Sequence, residues 1–175
     1  AAQLEDSMSA PWQNAPRHAH HEISMSSSFV TPFATLDLQR QPEQPGMPLQ
    51  AFDAADAYLF EQVQSLPDGA RVLLLNDSFG ALACALAGRA QVTSSGDSHL
   101  GHLALRLNLA HNGLAEDAVT FVPASEPVSG PFDVVLIRVP KTLALLEEQL
   151  IRLHGQLAPE AQVIAGAMIK HLSLI

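Results

Sequence analysis

The sequence is poor in cysteine, in basic residues and in long apolar runs, and each shortage excludes a class of protein. Its single cysteine, Cys84, excludes a disulfide framework and a cysteine-ligated zinc cluster within the chain, and it fits the reducing cytoplasm. Nine lysines and arginines against 18 aspartates and glutamates give a net charge of −9, which disfavours a domain built mainly to bind phosphates. No run reaches the roughly 18 apolar residues of a membrane span, so we expect a cytoplasmic protein with no membrane partner.

Apolar residues make up 47% of the 175 residues, enough to bury the core of one α/β domain. Residues 1–28 mix proline, serine and glutamine without periodicity, so we interpret them as a mobile N-terminal extension. Three histidines there, His18, His20 and His21, lack a carboxylate or cysteine framework, and we expect no metal site. Residues 29–175 are expected to form the domain.

Hydrophobic periodicity alternates between the strand and the helix pattern along this domain. The continuous apolar run 71–75 predicts a central strand buried on both faces, and the spacing after it predicts a helix over 79–86. Further strands are predicted at 36–40, 90–95, 118–122, 132–137 and 161–165. Three more helices are predicted from buried apolar stripes, namely Phe52, Ala55, Leu59, Val63 and Leu66; Leu100, Leu103, Leu107 and Ala110; and Leu143, Leu146, Leu150 and Leu153.

This alternation predicts an α/β sandwich with a mostly parallel central sheet and helices on both faces. Each helix must bury its apolar stripe against the sheet, which forces parallel pairing and right-handed crossovers. A ligand would then lie beyond the carboxyl ends of the strands, at the point where the strand order reverses. Residues 76–80 and Asp97 are the expected neighbours of that point.

The sequence resembles the ordered motifs of Rossmann-like S-adenosylmethionine-dependent methyltransferases in four stretches, namely 72–82, 96–98, 112–114 and 132–141. Three stretches are similar, more narrowly, to the N-terminal domain of the ribosomal RNA large subunit methyltransferase G family, namely 48–56, 75–82 and 139–147. The resemblance implies a Rossmann-like, methyltransferase-type sandwich.

Members of that family methylate the exocyclic N2 of a guanine in large-subunit ribosomal RNA. They contain two homologous methyltransferase-like domains, and the C-terminal one holds the catalytic machinery. The resemblance therefore implies that S-adenosylmethionine is the cofactor of the whole protein. It also implies two partners for this chain, which are a catalytic domain beyond its C-terminus and large-subunit ribosomal RNA.

The loop that would hold the cofactor departs from the pattern of active methyltransferases. Such a loop has an acidic residue in the strand and then Gly-x-Gly-x-Gly, whose missing side chains let the backbone approach the cofactor. Here the acidic position is Leu74, and the glycine positions read Asn76, Ser78 and Gly80. We therefore expect this domain to bind no cofactor; if it did, the contacts would come from Asn76, Asp77, Gly80, Asp97 and Pro140.

The catalytic motif of active guanine-N2 methyltransferases is also missing. In those enzymes an Asn-Pro-Pro-aromatic tetrad after the fourth strand orients the amine and stacks the flipped base. The same four positions here are Arg138, Val139, Pro140 and Lys141, and a guanidinium cannot replace an amide that both donates and accepts. The sequence thus predicts no catalytic residue in this chain.

For several polar residues the sequence leaves two interpretations open. Asp77 either caps the helix that follows or belongs to a degenerate cofactor mouth. Arg138 and Lys141 are either surface charges or contacts to RNA phosphate, and they would form a basic patch if Arg40 and Arg106 converged with them in space. His99 and His102 are expected on a solvent-exposed helix face, together with Arg106, and Cys84 is expected in the core.

Two functional hypotheses of different classes follow. The first is a degenerate, non-catalytic methyltransferase-like domain that guides ribosomal RNA or packs against the catalytic domain. The alternative is an autonomous S-adenosylmethionine-dependent methyltransferase with an atypical pocket built from Gly80, Asp97 and Pro140. A dinucleotide-binding oxidoreductase would need more glycines in the first turn.

Overall fold

The computed structural model describes residues 27–41 and 50–169, which form seven strands and four helices. The strands are β1 (Ser27–Val30), β2 (Thr35–Leu38), β3 (Arg71–Leu75), β4 (Gln91–Gly96), β5 (Val119–Pro123), β6 (Phe132–Arg138) and β7 (Leu157–Gly166). The helices are α1 (Ala54–Gln62), α2 (Ala81–Leu86), α3 (His99–His111) and α4 (Leu143–Arg152), with a short 3-10 turn at Glu116–Ala118 before β5.

Five of the strands form one parallel sheet in the order β5-β4-β3-β6-β7. The chain runs outward from β3 to β4 and β5, then returns to the other side of β3 with β6 and continues to β7. The order therefore reverses between β3 and β6, and the carboxyl ends of these two strands flank the expected ligand position. The predicted α/β class, the parallel pairing and the central place of β3 are confirmed.

One face of the sheet carries the main core. Helices α1, α2 and α3 pack there against apolar side chains of β3, β4 and β6, and Leu74 and Leu136 are fully buried. All six residues of α2 are buried, Cys84 among them, as expected for a short helix of small apolar residues between the sheet and α3.

The other face has a much smaller core. In the described residues, α4 is the one helix that covers it, because the connection between β5 and β6 contains no helix and contributes Val128 instead. Its buried cluster in the described residues comprises Leu73, Leu75, Phe132, Val135, Ile137 and Leu153. The prediction of helices on both faces is confirmed, but the two faces are covered unequally.

The predicted apolar stripes of α3 and α4 differ in how far they face the sheet. On α3 the buried residues are Gly101, Ala104, Leu105, Asn108 and Leu109, while Leu100, Leu103 and Leu107 are exposed. Of the predicted stripe on α4, Leu146 and Leu153 pack against the smaller core, whereas Leu143 and Leu150 are exposed. The spacing was correct for helices, but leucines lie all round both of them, so the spacing alone did not identify the buried side.

A β-hairpin of β1 and β2 packs against α2 and α3 and confirms the strand predicted at 36–40, although β2 covers Thr35–Leu38. Ser27 and Ser28 belong to β1 and pair with Leu38 and Asp37, so the predicted boundary of the extension at residue 28 is wrong. The buried amide of Asn108 on α3 fixes the chain after this hairpin, since it accepts from the Gln39 N–H and donates to the Gln39 carbonyl. The histidines of the N-terminal extension lie outside the described residues.

The ends of two elements differ from the predicted ones. Helix α1 ends at Gln62, four residues before Leu66, because the backbone turns to an extended conformation at Val63. Strand β7 begins at Leu157 and not at 161, and its register against β6 shifts between Phe132 and Val134. None of the described helices has the length and hydropathy needed to cross a membrane.

The unequal faces predict unequal costs of truncating leucines. We expect Leu74→Ala, which removes a fully buried side chain from the central strand, to lower the free energy of unfolding by about 2–5 kcal/mol. The matched change Leu143→Ala on the outer side of α4 should cost less than about 0.5 kcal/mol. Urea unfolding of both variants checks this, and similar losses in the two would contradict the assigned core.

Candidate functional site

The reversal point between β3 and β6 is bridged by a side chain of the protein itself. Asn76, the first residue after β3, has a φ of 66°, a left-handed conformation that asparagine adopts at modest cost. Its Nδ2 donates to the Arg138 carbonyl at the end of β6, at 2.8 Å. Its amide also pairs reciprocally with that of Gln149 on α4, with N–O distances of 3.0 and 2.9 Å. One side chain thus connects β3, β6 and α4 at the expected ligand position.

Gly80 is held by packing and by backbone conformation. Its φ is 80°, and a Cβ placed on it would lie 2.7 Å from the Cα of Leu105. A larger residue would therefore push α3 away from the start of α2. The one glycine left in the loop is explained by contacts of the fold and needs no ligand.

Asp77 caps the first turn of α2, which favours the first of its two interpretations. Its carboxylate accepts from the Ala83 N–H at 2.9 Å, and the nearby N–H groups of Gly80 and Leu82 also stabilise the charged form. Burial nevertheless outweighs them and raises the pKa of the Asp77 carboxyl above its usual value. The Asp77 side chain therefore caps helix α2.

Arg138, the last residue of β6, turns into the protein. Its guanidinium donates to Asp53 through Nη2 at 2.8 Å and to Asp56 through Nη1 at 2.9 Å, and its side chain is only 17% exposed. Asp53 and Asp56 also form a capping box on the first turn of α1. The interpretation of Arg138 as a surface charge is therefore wrong: its partners lie 85 and 82 residues away in the chain.

The two carboxylates beside Arg138 differ in their pKa values. The hydrogen bond from Arg138 lowers the pKa of Asp53, which is partly exposed. Asp56 is buried, and desolvation raises its pKa to about 7 in spite of the nearby guanidinium. The cluster therefore holds a firmly ionised carboxylate and one that changes its charge near neutral pH.

A cavity of about 380 Å³ lies next to the Asn76 bridge between β3 and β6, on the side of β4 and α3. Of the predicted cofactor contacts, Asn76, Asp77 and Asp97 line it, whereas Gly80 and Pro140 do not. Its wall also contains two stacked pairs, with Arg40 over the Phe79 ring at 5.1 Å and the His102 and Phe121 ring centroids 4.0 Å apart. His102 is therefore partly buried, and its expected place on a solvent-exposed face is wrong.

The four predicted RNA contacts occupy different surroundings. Arg138 is engaged by Asp53 and Asp56, and Arg106 forms a 2.6 Å ion pair with Glu116 on the exposed side of α3. Arg40 lies at the cavity wall, and Lys141 is exposed after β6. Two of the four cations are thus neutralised by carboxylates. In the part of the chain that the structure describes, no group of three or more acidic, histidine or cysteine side chains could hold a metal ion.

The sequence alone did not identify Asp53 and Asp56 as the partners of Arg138. A local signal did exist, since acidic residues three apart before an apolar helix are typical of a capping box. The capping-box pattern predicts the cap of α1 but does not identify Arg138 as a partner of the two carboxylates. Gln149 gave no signal at all, because an amide on a helix surface has no distinctive pattern.

The buried ion pair predicts a large cost for removing its cation. We expect Arg138→Met to lower the free energy of unfolding by about 3–5 kcal/mol, because Asp53 and Asp56 lose their shared hydrogen-bond donor and Asp56 must then take up a proton or stay a buried carboxylate without a partner. Arg106→Met removes an exposed pair and should cost less than about 1 kcal/mol. Denaturant titration at pH 7.5 measures both; equal costs would mean that Arg138 has no special role.

The raised pKa of Asp56 predicts how the stability of the fold changes with pH. Because its folded pKa is raised from 3.8 to about 7, the folded state binds more protons than the unfolded state between these values. Its contribution to stability is full below pH 3.8 and is lost as the pH rises through about 7. The advantage of the wild type over Asp56→Asn should therefore shrink between these pH values, as measured by urea unfolding.

The matched control is Asp53→Asn, which keeps Asp56. Its free energy of unfolding should still fall across this pH range, because the pKa of Asp53 lies below the range. A wild-type advantage over Asp56→Asn that stays constant or grows with pH would show that Asp56 is ionised throughout.

Comparison with known proteins gives two kinds of match. A family model described as the RLMG N-terminal domain matches residues 26–174. A curated relative from Stutzerimonas stutzeri (strain A1501), Ribosomal RNA large subunit methyltransferase G, is 74% identical over 144 residues. That alignment covers 81% of this chain but 38% of the relative, so the chain spans less than two fifths of the length of its relative.

Solved structures confirm the fold at low sequence identity. A ribosomal protein L11 methylase from Lactobacillus delbrueckii subsp. bulgaricus aligns with a TM-score of 0.54 and 20% identity, over 68% of this chain and 61% of that one. A SAM-dependent methyltransferase from Thiobacillus denitrificans, in complex with S-adenosyl-L-homocysteine, aligns with a TM-score of 0.50 and 20% identity, over 66% and 49% of the two chains. The sheet is thus of the Rossmann-like methyltransferase type, and the family model, which matches most of the chain, shows that this chain belongs to the RLMG N-terminal domain family.

Proposed function

We propose that this chain is the degenerate, non-catalytic domain of a cytoplasmic S-adenosylmethionine-dependent methyltransferase that modifies guanine N2 in large-subunit ribosomal RNA. Its relatives are named as large-subunit ribosomal RNA methyltransferases and are more than twice as long. The catalytic domain, the cofactor and the RNA substrate then belong to the whole protein. The role of this domain is to support that catalytic domain.

The observation that carries the proposal is the bridge at the reversal point of the sheet. Asn76 spans from β3 to the Arg138 carbonyl of β6 and to Gln149 of α4. A ligand in the crevice between these strands would have to break three hydrogen bonds of one half-buried side chain.

The residues of the loop do not fit S-adenosylmethionine. Phe79 adds a bulky side chain to the loop, and the Asp77 carboxylate would face the carboxylate of the methionine portion. The Asp77 carboxylate also accepts hydrogen bonds from N–H groups of α2. It cannot turn away from a bound cofactor without leaving these donors unpaired. These contacts support a domain that binds no cofactor.

The catalytic positions support the same conclusion. An amide that orients the guanine amine would have to stand at position 138, where the guanidinium is bound to two carboxylates. The aromatic ring that would stack the flipped base is replaced by Lys141. No side chain at 138–141 can both accept from and donate to the amine.

Between the two supporting roles, packing against the catalytic domain is favoured over direct binding of RNA. The charge of −9 opposes phosphate binding, and Arg106 and Arg138 are already paired with carboxylates. Arg40 and Lys141 remain as candidate phosphate contacts. Any RNA contact by this domain should therefore be weak and sensitive to salt.

The alternative, an autonomous methyltransferase, has one observation in its favour. The 380 Å³ cavity keeps an acidic residue, Asp97, after β4, where a carboxylate can bind ribose hydroxyls. The two hypotheses differ in whether that cavity binds the cofactor.

Calorimetric titration of S-adenosylmethionine and S-adenosylhomocysteine into this chain separates the hypotheses. We expect no heat of binding up to about 1 mM ligand, because the crevice is bridged and the loop carries Asp77 and Phe79. The full-length methyltransferase, titrated in parallel, should bind both ligands through its other domain.

Asp97→Ala is the control variant. Micromolar binding by the wild type that is lost in Asp97→Ala would contradict the proposal, and methyl transfer to ribosomal RNA by this chain would then be the next test.

A further inference from the structure

A second cavity, of about 460 Å³, lies between α4 and the connection that joins β5 to β6. We call it the α4 cavity. It is on the opposite face of the sheet from the 380 Å³ cavity, and Ser95 of β4 lines both. The five predicted cofactor contacts all lie in the described part of the chain, and none of them lines it. Small-molecule sites have volumes of about 300–1,000 Å³, so this space is large enough for a ligand.

The α4 cavity exists because the connection between β5 and β6 contains no helix. Val128 is the residue of this connection that packs against the smaller core. The floor of the cavity is apolar and consists of core side chains, namely Leu73, Leu75 and Leu153. Apolar side chains that border an empty space lack contacts on that side. A molecule with an apolar body would supply these missing contacts.

Arg152 on α4 fixes the two walls of the cavity relative to each other. Its Nη1 donates to the Ala124 carbonyl of the connection at 2.5 Å, and its Nη2 donates to Glu148 of α4 at 2.6 Å. The guanidinium thus joins the helix to the connection. Because Glu148 balances its charge, Arg152 attracts an anion only weakly.

Two amide side chains of the wall are also held in place within the domain. Gln149 pairs with Asn76, and the Oε1 of Gln156 accepts from the Gly130 N–H at 2.7 Å. Side chains that are already ordered lose little entropy when a ligand binds, which lowers the cost of binding. The α4 cavity is therefore preformed, as small-molecule sites usually are.

The remaining polar groups of the wall determine which ligand fits. Glu126 of the connection is exposed and forms no ion pair within residues 27–41 and 50–169. Since Arg152 and Glu148 cancel each other, Glu126 gives the wall a net negative charge. Ser95 pairs in register with Leu75, so its side chain lies on the same face as the apolar floor. A carboxylate beside an apolar floor favours a molecule that combines an apolar body with a cation.

We propose that the α4 cavity binds a small amphipathic amine, with its apolar body on the leucine floor and its ammonium group facing Glu126. The hydroxyl of Ser95 is available as a second acceptor of a hydrogen bond from the ligand. This site lies apart from the bridged crevice of the sheet, so it is a binding site beyond the proposed supporting role of the domain.

The test is calorimetric titration of the full-length protein with tryptamine, a cationic aromatic amine, and with indole-3-acetate, an anion with the same ring. We expect tryptamine to bind with a Kd below about 1 mM. Indole-3-acetate should bind at least about tenfold more weakly, because Glu126 repels its carboxylate.

Three variants locate the bound amine. Glu126→Gln should weaken tryptamine binding at least about fivefold, because it removes the charge that faces the ammonium group. Glu147→Gln is the matched control: it removes an exposed carboxylate of α4 that does not line the cavity, and the Kd should stay unchanged. Leu145→Trp places a larger side chain in the cavity and should weaken binding at least about tenfold. Glu126→Gln changes one exposed side chain, so it tests the site even where Leu145→Trp does not fold.

Three results would overturn the proposal. No heat with tryptamine up to about 5 mM would mean that the cavity holds water alone or is filled by another polypeptide. Equal or tighter binding of indole-3-acetate would contradict the cationic ligand class. Binding that is kept in Glu126→Gln but lost in Asp97→Ala would place the amine in the 380 Å³ cavity. These titrations contain no S-adenosylmethionine, so their outcome is independent of the test of the proposed function.

Discussion

The guanidinium of Arg138 is buried at the carboxyl end of β6, and the surrounding structure is arranged to satisfy it. A charge removed from water must find carboxylates in good geometry, which fixes Asp53 and Asp56 and with them the first turn of α1. Helix α1 in turn packs Leu59 against Gly166 at the end of β7. The carbonyl of Arg138 receives Asn76 from β3. Four elements therefore take their relative positions from the surroundings of one residue.

These contacts occupy the place where a methyltransferase of this fold binds its ligand. Asn76 has the left-handed conformation that a tight turn needs, but it uses its side chain to join the strands, which a glycine could not do. Gly80 persists because α3 lies against it. Asp77 closes the start of α2. Asn76, Asp77 and Gly80 are each accounted for by a contact within the domain, and this supports a scaffold more than a vestigial binding site.

Sequence reasoning succeeded where a local pattern determines the structure. The buried run at β3 and the turn at Asn76 are short-range features, and both were predictable. It failed where the outcome depends on distant partners. Arg138 has its carboxylates more than 80 residues away, so its charge suggested a surface position. The leucines of α3 and α4 have helical spacing, but which side is buried depends on the neighbouring elements, and no local pattern encodes that.

The two faces of the sheet differ in a way that follows from the missing helix between β5 and β6. One face has three helices and a closed core. The other has α4 and Val128 of the connection between β5 and β6, with Leu153 buried at the end of α4 and Leu143 and Ile151 exposed on its outer side. Burying an apolar side chain contributes roughly 1.5–3 kcal/mol, so the larger of the two cores accounts for most of the stability that the packed residues supply.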